Sequence, residues 1–247
     1  MFEQLSDNTS GQVFACGDDE NLAACTLGNA RYFSIHRDSD YQARDITCYP
    51  LRTDFRVNGQ EFKLSMPGEY NLYNGLACIA FLSELGISSE AIAEVLPDFS
   101  GIERRFDVHR NDGKYLVIDD YAHNPHKIHS LMEAMKKVSD KVCYIFQPHG
   151  YGPTRLMKEG YIETFAKGLR KADHLILLPI YYAGGTVAKD ISSGDLLAGV
   201  QAAGKSAEVM DERSGFFGKP EKWDAYIVLG ARDDSLSDFA REIAEKL

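Results

Sequence analysis

From Ile102 to the C-terminus the chain alternates short apolar runs with amphipathic runs of helical period, and no other feature restricts its fold so tightly. Residues 115–118, 141–146, 174–179, 206–210 and 225–230 read as strands. Helices are predicted at 124–138, about 154–170, 192–202 and 235–247. Asn124 suits the N-cap of the first and Pro125 its first turn. Met157, Tyr161, Phe165 and Leu169 share one face of the second. Leu236, Phe239, Ala240, Ile243 and Leu247 do so in the last. Short strands that are apolar on both faces and joined by helices pack as a parallel sheet covered on both sides. The fold class expected is therefore α/β, with a doubly wound, mostly parallel sheet.

The first hundred residues follow a different pattern. Segments 12–17 and 30–35 look like short strands. Segments 53–57 and 60–66 alternate apolar and polar residues around Asn58-Gly59, the signature of a hairpin with a type I′ turn. Met66-Pro67-Gly68 breaks the strand, and a helix over 71–84 follows. It is apolar nearly all round, so deep burial is expected. Gly86 suits its stop, Ser88 or Ser89 the cap of a short helix through Leu96, and Pro97 its end. The change of pattern places a domain boundary in Phe99-Ser-Gly-Ile-Glu-Arg-Arg-Phe106, dividing the chain into 1–102 and 103–247.

Charge and cysteine content narrow the function classes. Lys plus Arg is 27 against 37 for Asp plus Glu, a formal net charge of −10, so neither nucleic acid nor an anionic membrane is expected as a partner. No apolar run approaches the roughly 20 residues that span a bilayer. The N-terminal MFEQLSDNTSGQ lacks the basic and apolar regions of a signal peptide. The five cysteines are scattered, odd in number and without a C-x-x-C pair, which fits reduced thiols in the cytoplasm and not a metal site.

Ligands of an open parallel sheet bind beyond the carboxyl ends of its strands. The residues there are Asp119-Asp120-Tyr121-Ala122-His123-Asn124, Gln147-Pro148-His149-Gly150-Tyr151-Gly152, Tyr181-Tyr182-Ala183-Gly184-Gly185-Thr186 and Ala231-Arg232-Asp233-Asp234. Loops this rich in hydrogen-bonding groups suit a polar ligand. Asp119 and Asp120 either bind a ribose diol or a metal, or accept backbone N–H groups in their turn. Arg104 and Arg105, at the domain junction, either hold phosphate or carboxylate or form a salt bridge. Asn71 and Asn74 share a helix face, where they either read a base edge or include an N-cap. His126 and His129 neighbour each other on a helix; a solvated face explains them better than zinc, because no Cys or acidic ligand stands at a familiar spacing. His123 precedes the helix cap and points toward the sheet edge. No G-x-G-x-x-G or G-x-S-x-G motif is present, so a dehydrogenase and a serine hydrolase lack support, and there is no P-loop.

Four motifs in order carry a resemblance: Pro67-Gly-Glu-Tyr-Asn71-Leu-Tyr-Asn74, Phe99-Ser-Gly-Ile-Glu-Arg104-Arg105-Phe106, Ile118-Asp-Asp-Tyr-Ala-His-Asn-Pro125 and Phe146-Gln-Pro-His149. Together they resemble the Mur ligase family, in particular its alanine-adding branch. The resemblance implies that residues 1–102 are the trailing half of a central ATP-binding α/β domain and 103–247 a complete Rossmann-like C-terminal domain. It also implies that the UDP-sugar domain, the P-loop and most Mg2+ ligands lie upstream, and that the fragment alone is inactive.

The implied reaction is ATP-dependent amide formation through an acyl phosphate on a UDP-N-acetylmuramate-type acceptor, with an amino acid as the amine. By motif, Asn71 and Asn74 correspond to adenine-side residues, Asp120 to a ribose-holding aspartate and Arg105 to an arginine reaching the phosphates. His123 is a catalytic candidate, and Tyr121, His149 and Arg155 are candidates for the incoming amino acid. The sequence departs from the family pattern at Tyr70, at Gly150-Tyr151-Gly152-Pro153-Thr154-Arg155, where two arginines are usual, and at Gly230-Ala231-Arg232-Asp233-Asp234. A binding module for nucleotide or amino acid, acting with a separately encoded partner, is the alternative. A folate- or storage-polypeptide-type ligase fits the motifs less well. Apolar surface left by a halved domain would favour self-association.

Overall fold

The structure, a computed structural model, describes residues 1–99, 101–218 and 222–247. The chain divides into two units, Met1–Ser100 and Gly101–Leu247. Ser100 itself, inside the stretch read as the boundary, lies outside the described residues.

In the first unit, α1 (Phe2–Asp7) leads into a parallel ladder of β1 (Val13–Cys16), β2 (Ala30–Ser34) and β3 (Tyr41–Gln42), with α2 (Glu20–Ala23) after β1. An antiparallel ladder of β4 (Arg44–Tyr49), β5 (Arg52–Val57) and β6 (Gln60–Leu64) follows. Asn58 and Gly59 take φ of 48° and 87°, the paired left-handed residues of the expected type I′ turn. Phe55 and Phe62 stack across this hairpin at 5.7 Å. Next comes α3 (Glu69–Glu84). It stops at Gly86, φ 85°, where the N–H groups of Gly86 and Ile87 bond the Ser83 and Leu82 carbonyls in a Schellman arrangement. Ser88 caps α4 (Ser89–Val95), its Oγ accepting from the Ala91 N–H at 3.2 Å.

One expectation for this unit fails. Leu72, Leu76, Ile79 and Ala80 of α3 are buried, but Phe81 is 49% exposed and Leu85, just beyond, 63%. The helix packs against β1, β2, β3 and α4, and the far side of its last turn meets solvent. A run apolar on all sides carries no phase, so its sequence cannot say which side stays uncovered. The strands β3 and β4 and the helices α1 and α2 were also not anticipated; β4 is mostly exposed and polar, so it reads as loop.

The second unit is one six-stranded sheet. Its elements are β7 (Asp107–Asn111), β8 (Leu116–Asp120), α5 (Pro125–Lys136), β9 (Val142–Gln147), α6 (Tyr151–Leu156), α7 (Lys158–Gly168), β10 (His174–Leu177), α8 (Ser193–Ala202), β11 (Ala207–Val209), β12 (Ala225–Gly230) and α9 (Ser235–Lys246). The strand order is β11-β10-β9-β12-β8-β7, with every pair parallel except β7–β8. Strands β8, β9 and β12 are buried along their whole length, as a covered parallel sheet requires.

Helices α5, α7 and α8 pack side by side. Tyr161 and Phe165 of α7 meet Phe146 at 5.2 and 5.6 Å. Helix α9 contacts β7, β8 and β12 and closes a separate core of Val117, Ile145, Tyr226, Val228, Phe239 and Ile243. Apolar clusters on both faces of one sheet are the doubly wound architecture expected.

The helix predicted over 154–170 is two helices, broken at Met157 with φ −98° and ψ 7°. One residue so close to helical geometry keeps the side-chain phase, so the four-residue spacing of Met157, Tyr161, Phe165 and Leu169 runs through the break unmarked. Strand β7 was not foreseen either, since Asp107-Val-His-Arg-Asn111 is polar and only partly buried.

Candidate active site

The carboxyl ends of β8, β9, β10 and β12 lie along one edge because those strands are parallel. The chain order β8, β9, β10, β11, β12 places β12 between β8 and β9, so connections diverge there and leave room for a ligand.

At the end of β8 the two aspartates have different fates. Asp119 is fully buried, and its Oδ2 accepts from the Arg104 Nε at 3.1 Å. Burial holds its carboxyl above the usual range, and Arg104 offsets only part of the rise. Arg104, 6% exposed, also donates from a terminal nitrogen to the Gly230 carbonyl at 2.9 Å. A buried guanidinium needs such partners. Asp120 accepts from the Phe106 N–H at 2.8 Å and the Ala122 N–H at 2.7 Å. Its pKa is pushed up to about 6 by burial, against the two backbone hydrogen bonds and the charge of Arg105.

These bonds, with the Tyr121 N–H on the Arg104 carbonyl at 2.7 Å, strap the Arg104-Arg105-Phe106 segment to the sheet edge. Arg104 and Phe106 take φ of 60° and 51° and point inward, while Arg105 between them is exposed. Among the described residues no hydrogen-bond or ion-pair partner holds the Arg105 guanidinium. Arg105 lines a cavity of about 560 Å³ with Glu103, Arg104, Tyr121, Asp234 and Ser237. Of the pair read as either a salt bridge or an anion site, Arg104 makes the salt bridge and Arg105 is available to an anion.

Beside this cavity the rings converge. Tyr121 lies 5.5 Å from His123, and His123 5.5 Å from His149, both edge to face. His123 Nδ1 sits 2.8 Å from the Tyr121 carbonyl oxygen. A carbonyl only accepts, so Nδ1 carries a proton, and in a neutral ring Nε2 is the acceptor. The His123 carbonyl accepts from the Tyr161 hydroxyl at 2.6 Å, which ties this loop to α7. His149 Nδ1 is buried without a hydrogen-bond partner. Burial first, then the charges of His123 and Arg232, hold its pKa below the ordinary imidazole value, so it is neutral at pH 7. The Tyr181 backbone bonds the Pro148 carbonyl and the Gly150 N–H, carrying the β9–β10 pairing beyond the strands.

The remaining predicted residues are more dispersed. Arg155, on α6, is half-exposed and ion-paired with Asp190. Asn71 and Asn74 belong to the first unit. Asn71 is buried, its Nδ2 donating to the Pro67 carbonyl at 2.8 Å, while Asn74 is exposed, so the two amides do not present together. The N-cap of α3 is Gly68 and neither asparagine. His126 and His129 are exposed on α5, as a solvated face requires. Among the described residues no group of three or more His, Cys, Asp or Glu is placed to hold a metal ion, so a complete magnesium cage is not found there. No helix is long and apolar enough to cross a membrane, among the described residues. Glu103 and Ser237 join the cavity wall unexpectedly, Ser237 because only the folded sheet brings the start of α9 to the Arg104 loop.

An open parallel sheet with an arginine-lined cavity and clustered tyrosine and histidine at its carboxyl edge defines a Rossmann-like α/β domain. Residues 104–232 match the model of the Mur ligase, glutamate ligase domain, over half of the chain. The chain belongs to the Mur ligase family. It is 36% identical over 207 residues to the UDP-N-acetylmuramate–L-alanine ligase of Caldanaerobacter subterraneus subsp. tengcongensis, covering 80% of this chain and 44% of that protein. To the Fusobacterium nucleatum enzyme of the same name it is 35% identical over 265 residues, covering 97% and 55%. The crystal structure of UDP-N-acetylmuramate–alanine ligase from Thermotoga maritima superposes with a TM-score of 0.76 at 26% identity, over 99% of this chain and 53% of that one. The chain thus spans about half the length of the relatives it matches.

Proposed function

We propose that this chain is the nucleotide- and amine-binding part of an ATP-dependent ligase. The enzyme joins an amino acid to a carboxylate on a UDP-N-acetylmuramate-type acceptor in peptidoglycan precursor synthesis. The observation that carries the reading is the free Arg105 on a cavity wall beside the Tyr121–His123–His149 cluster, in a Mur ligase domain. The acceptor carboxylate takes the γ-phosphoryl group of ATP to give an acyl phosphate. The amine then attacks the acyl carbon, and phosphate leaves.

Arg105 neutralises charge on the transferring phosphoryl group. Asp120 keeps carboxylate lone pairs beyond its two backbone bonds, and these take a ribose hydroxyl. Asn74 offers an exposed amide to adenine, and Asn71 supports it from within α3. His123 accepts a proton from the incoming ammonium at Nε2. Tyr121 and His149 flank the amino acid; Arg155, the third residue expected there, is half-exposed in an ion pair with Asp190. Magnesium arrives with the nucleotide. The acceptor site and the P-loop belong to sequence outside this chain, so the chain alone does not turn over. ATP supply and five free cysteines fit the cytoplasm.

Calorimetric titration with ATP and magnesium tests the reading. Binding is expected, and Arg105→Ala should weaken it about 10- to 100-fold, the worth of a charged hydrogen bond. A chain that binds no ATP, or an Arg105→Ala variant that binds as well as wild type, overturns the assignment. Turnover by the chain with a separately encoded partner would favour the two-chain reading.

A further inference from the structure

Arg232 is an arginine in an unfavourable backbone conformation. It follows β12, the strand at the centre of the ligand-binding edge, with φ 66°, a region that L-residues enter at a cost and glycine enters freely. Strain of this kind is a pointer to function when the side chain has no structural work to explain it. Arg232 has none: its side chain is exposed, and among the described residues no carboxylate or carbonyl holds its guanidinium. Its backbone is fixed instead, the N–H donating to the Tyr121 hydroxyl at 3.3 Å. Its charge reaches His149, where it helps to keep the ring neutral.

The other cations on this side of the edge are engaged. Arg155 pairs with Asp190, and Lys189 lies over the Tyr182 and Tyr151 rings at 4.8 and 5.8 Å. Gly150 and Gly152 leave the rest of the β9 loop without charge. The Arg232 backbone thus stands against the Tyr121 hydroxyl, and the Tyr121 ring leads through His123 to His149, whose buried Nδ1 lacks a partner. The fork of N–H groups of a free guanidinium matches a planar carboxylate.

We propose that Arg232 binds the α-carboxylate of the incoming amino acid at the edge formed by Tyr121, His123 and His149. The assignment rests on the ligase reading above and adds to it the residue that selects an amino acid over a simple amine. Arg105 serves the nucleotide and Arg232 the amine substrate, so the two anions of the reaction have separate arginines.

The test follows the ring signals of His123 and His149 by NMR in the full chain. Each protein L-amino acid is added in turn, then the amide of whichever binds, then inorganic phosphate. At least one amino acid should move the His149 signals while its amide does not. Arg232→Gly should weaken that binding about tenfold or more. It should melt no lower than wild type, because glycine relieves the strain and the Tyr121 bond uses only the backbone. Arg232→Lys should restore binding in part, and Arg155→Ala should bind as wild type. Binding that survives Arg232→Gly, a response to phosphate alone, or no response to any amino acid overturns the proposal. ATP titration of wild type and Arg232→Gly separates the two readings: ATP binding by both alongside failed amino-acid arms sinks the carboxylate role alone, whereas a wild type that binds no ATP sinks the ligase reading.

Discussion

Arg104 and Arg105 are identical neighbours with opposite roles, and only their surroundings separate them. Arg104 is buried between Asp119 and the Gly230 carbonyl; Arg105 faces a cavity. The same division runs through Asp119 and Asp120. Asp120 has a folded-state pKa of about 6 against an ordinary 3.8, because burial disfavours its charge. Between those values the folded state holds more protons than the unfolded state, so this group's contribution to stability falls as pH rises from about 4 to about 6. The loss is on the order of 2–3 kcal/mol. Urea unfolding of wild type and Asp120→Asn across that window checks it. The variant also loses one backbone acceptor, but that cost is constant with pH, so only the slope of the difference matters. A flat difference would contradict the raised pKa. At this scale the sequence showed which residues carry charge and stand after strands. It left both pairs ambiguous, because burial is decided by contacts 15 to 126 residues away.

The ends of strands concentrate the chemistry among the elements. Strand β12 closes on Gly230, φ 154°, where a Cβ would stand 2.8 Å from the Gln147 carbonyl oxygen and 2.9 Å from Leu236 Cδ1. The close approach joins β12 to β9 and presents the carbonyl that Arg104 binds. Gly230→Ala is therefore expected to cost about 1–3 kcal/mol, read as a lower urea midpoint. A variant as stable as wild type would mean that the two strand ends separate more easily than their packing indicates. Elements buried on both faces were legible, since β8, β9 and β12 need apolar residues at every position. Elements with a wet face and little apolar content were not, and β4 and β7 are of that kind. The helix break at Met157 was hidden by a spacing that continues across it.

On the scale of the whole molecule, the two units each have their own core. Residues 101–247 enclose apolar clusters on both faces of a six-stranded sheet, enough for a domain of that size to fold alone. A chain of residues 101–247 is expected to give a single cooperative thermal transition with near-ultraviolet circular dichroism. A broad melt without a near-ultraviolet signal would show that its core depends on residues 1–100. The sequence by itself determined the fold class, the alternation of buried strands and helices in the second unit and the family, because apolar periodicity and local motifs are properties of adjacent residues. The tertiary structure decided which arginine is buried and which is free, which side of α3 meets water, and that Arg232 stands with Tyr121 and His149. Those depend on β12 inserting between β8 and β9, a long-range pairing that no local pattern encodes.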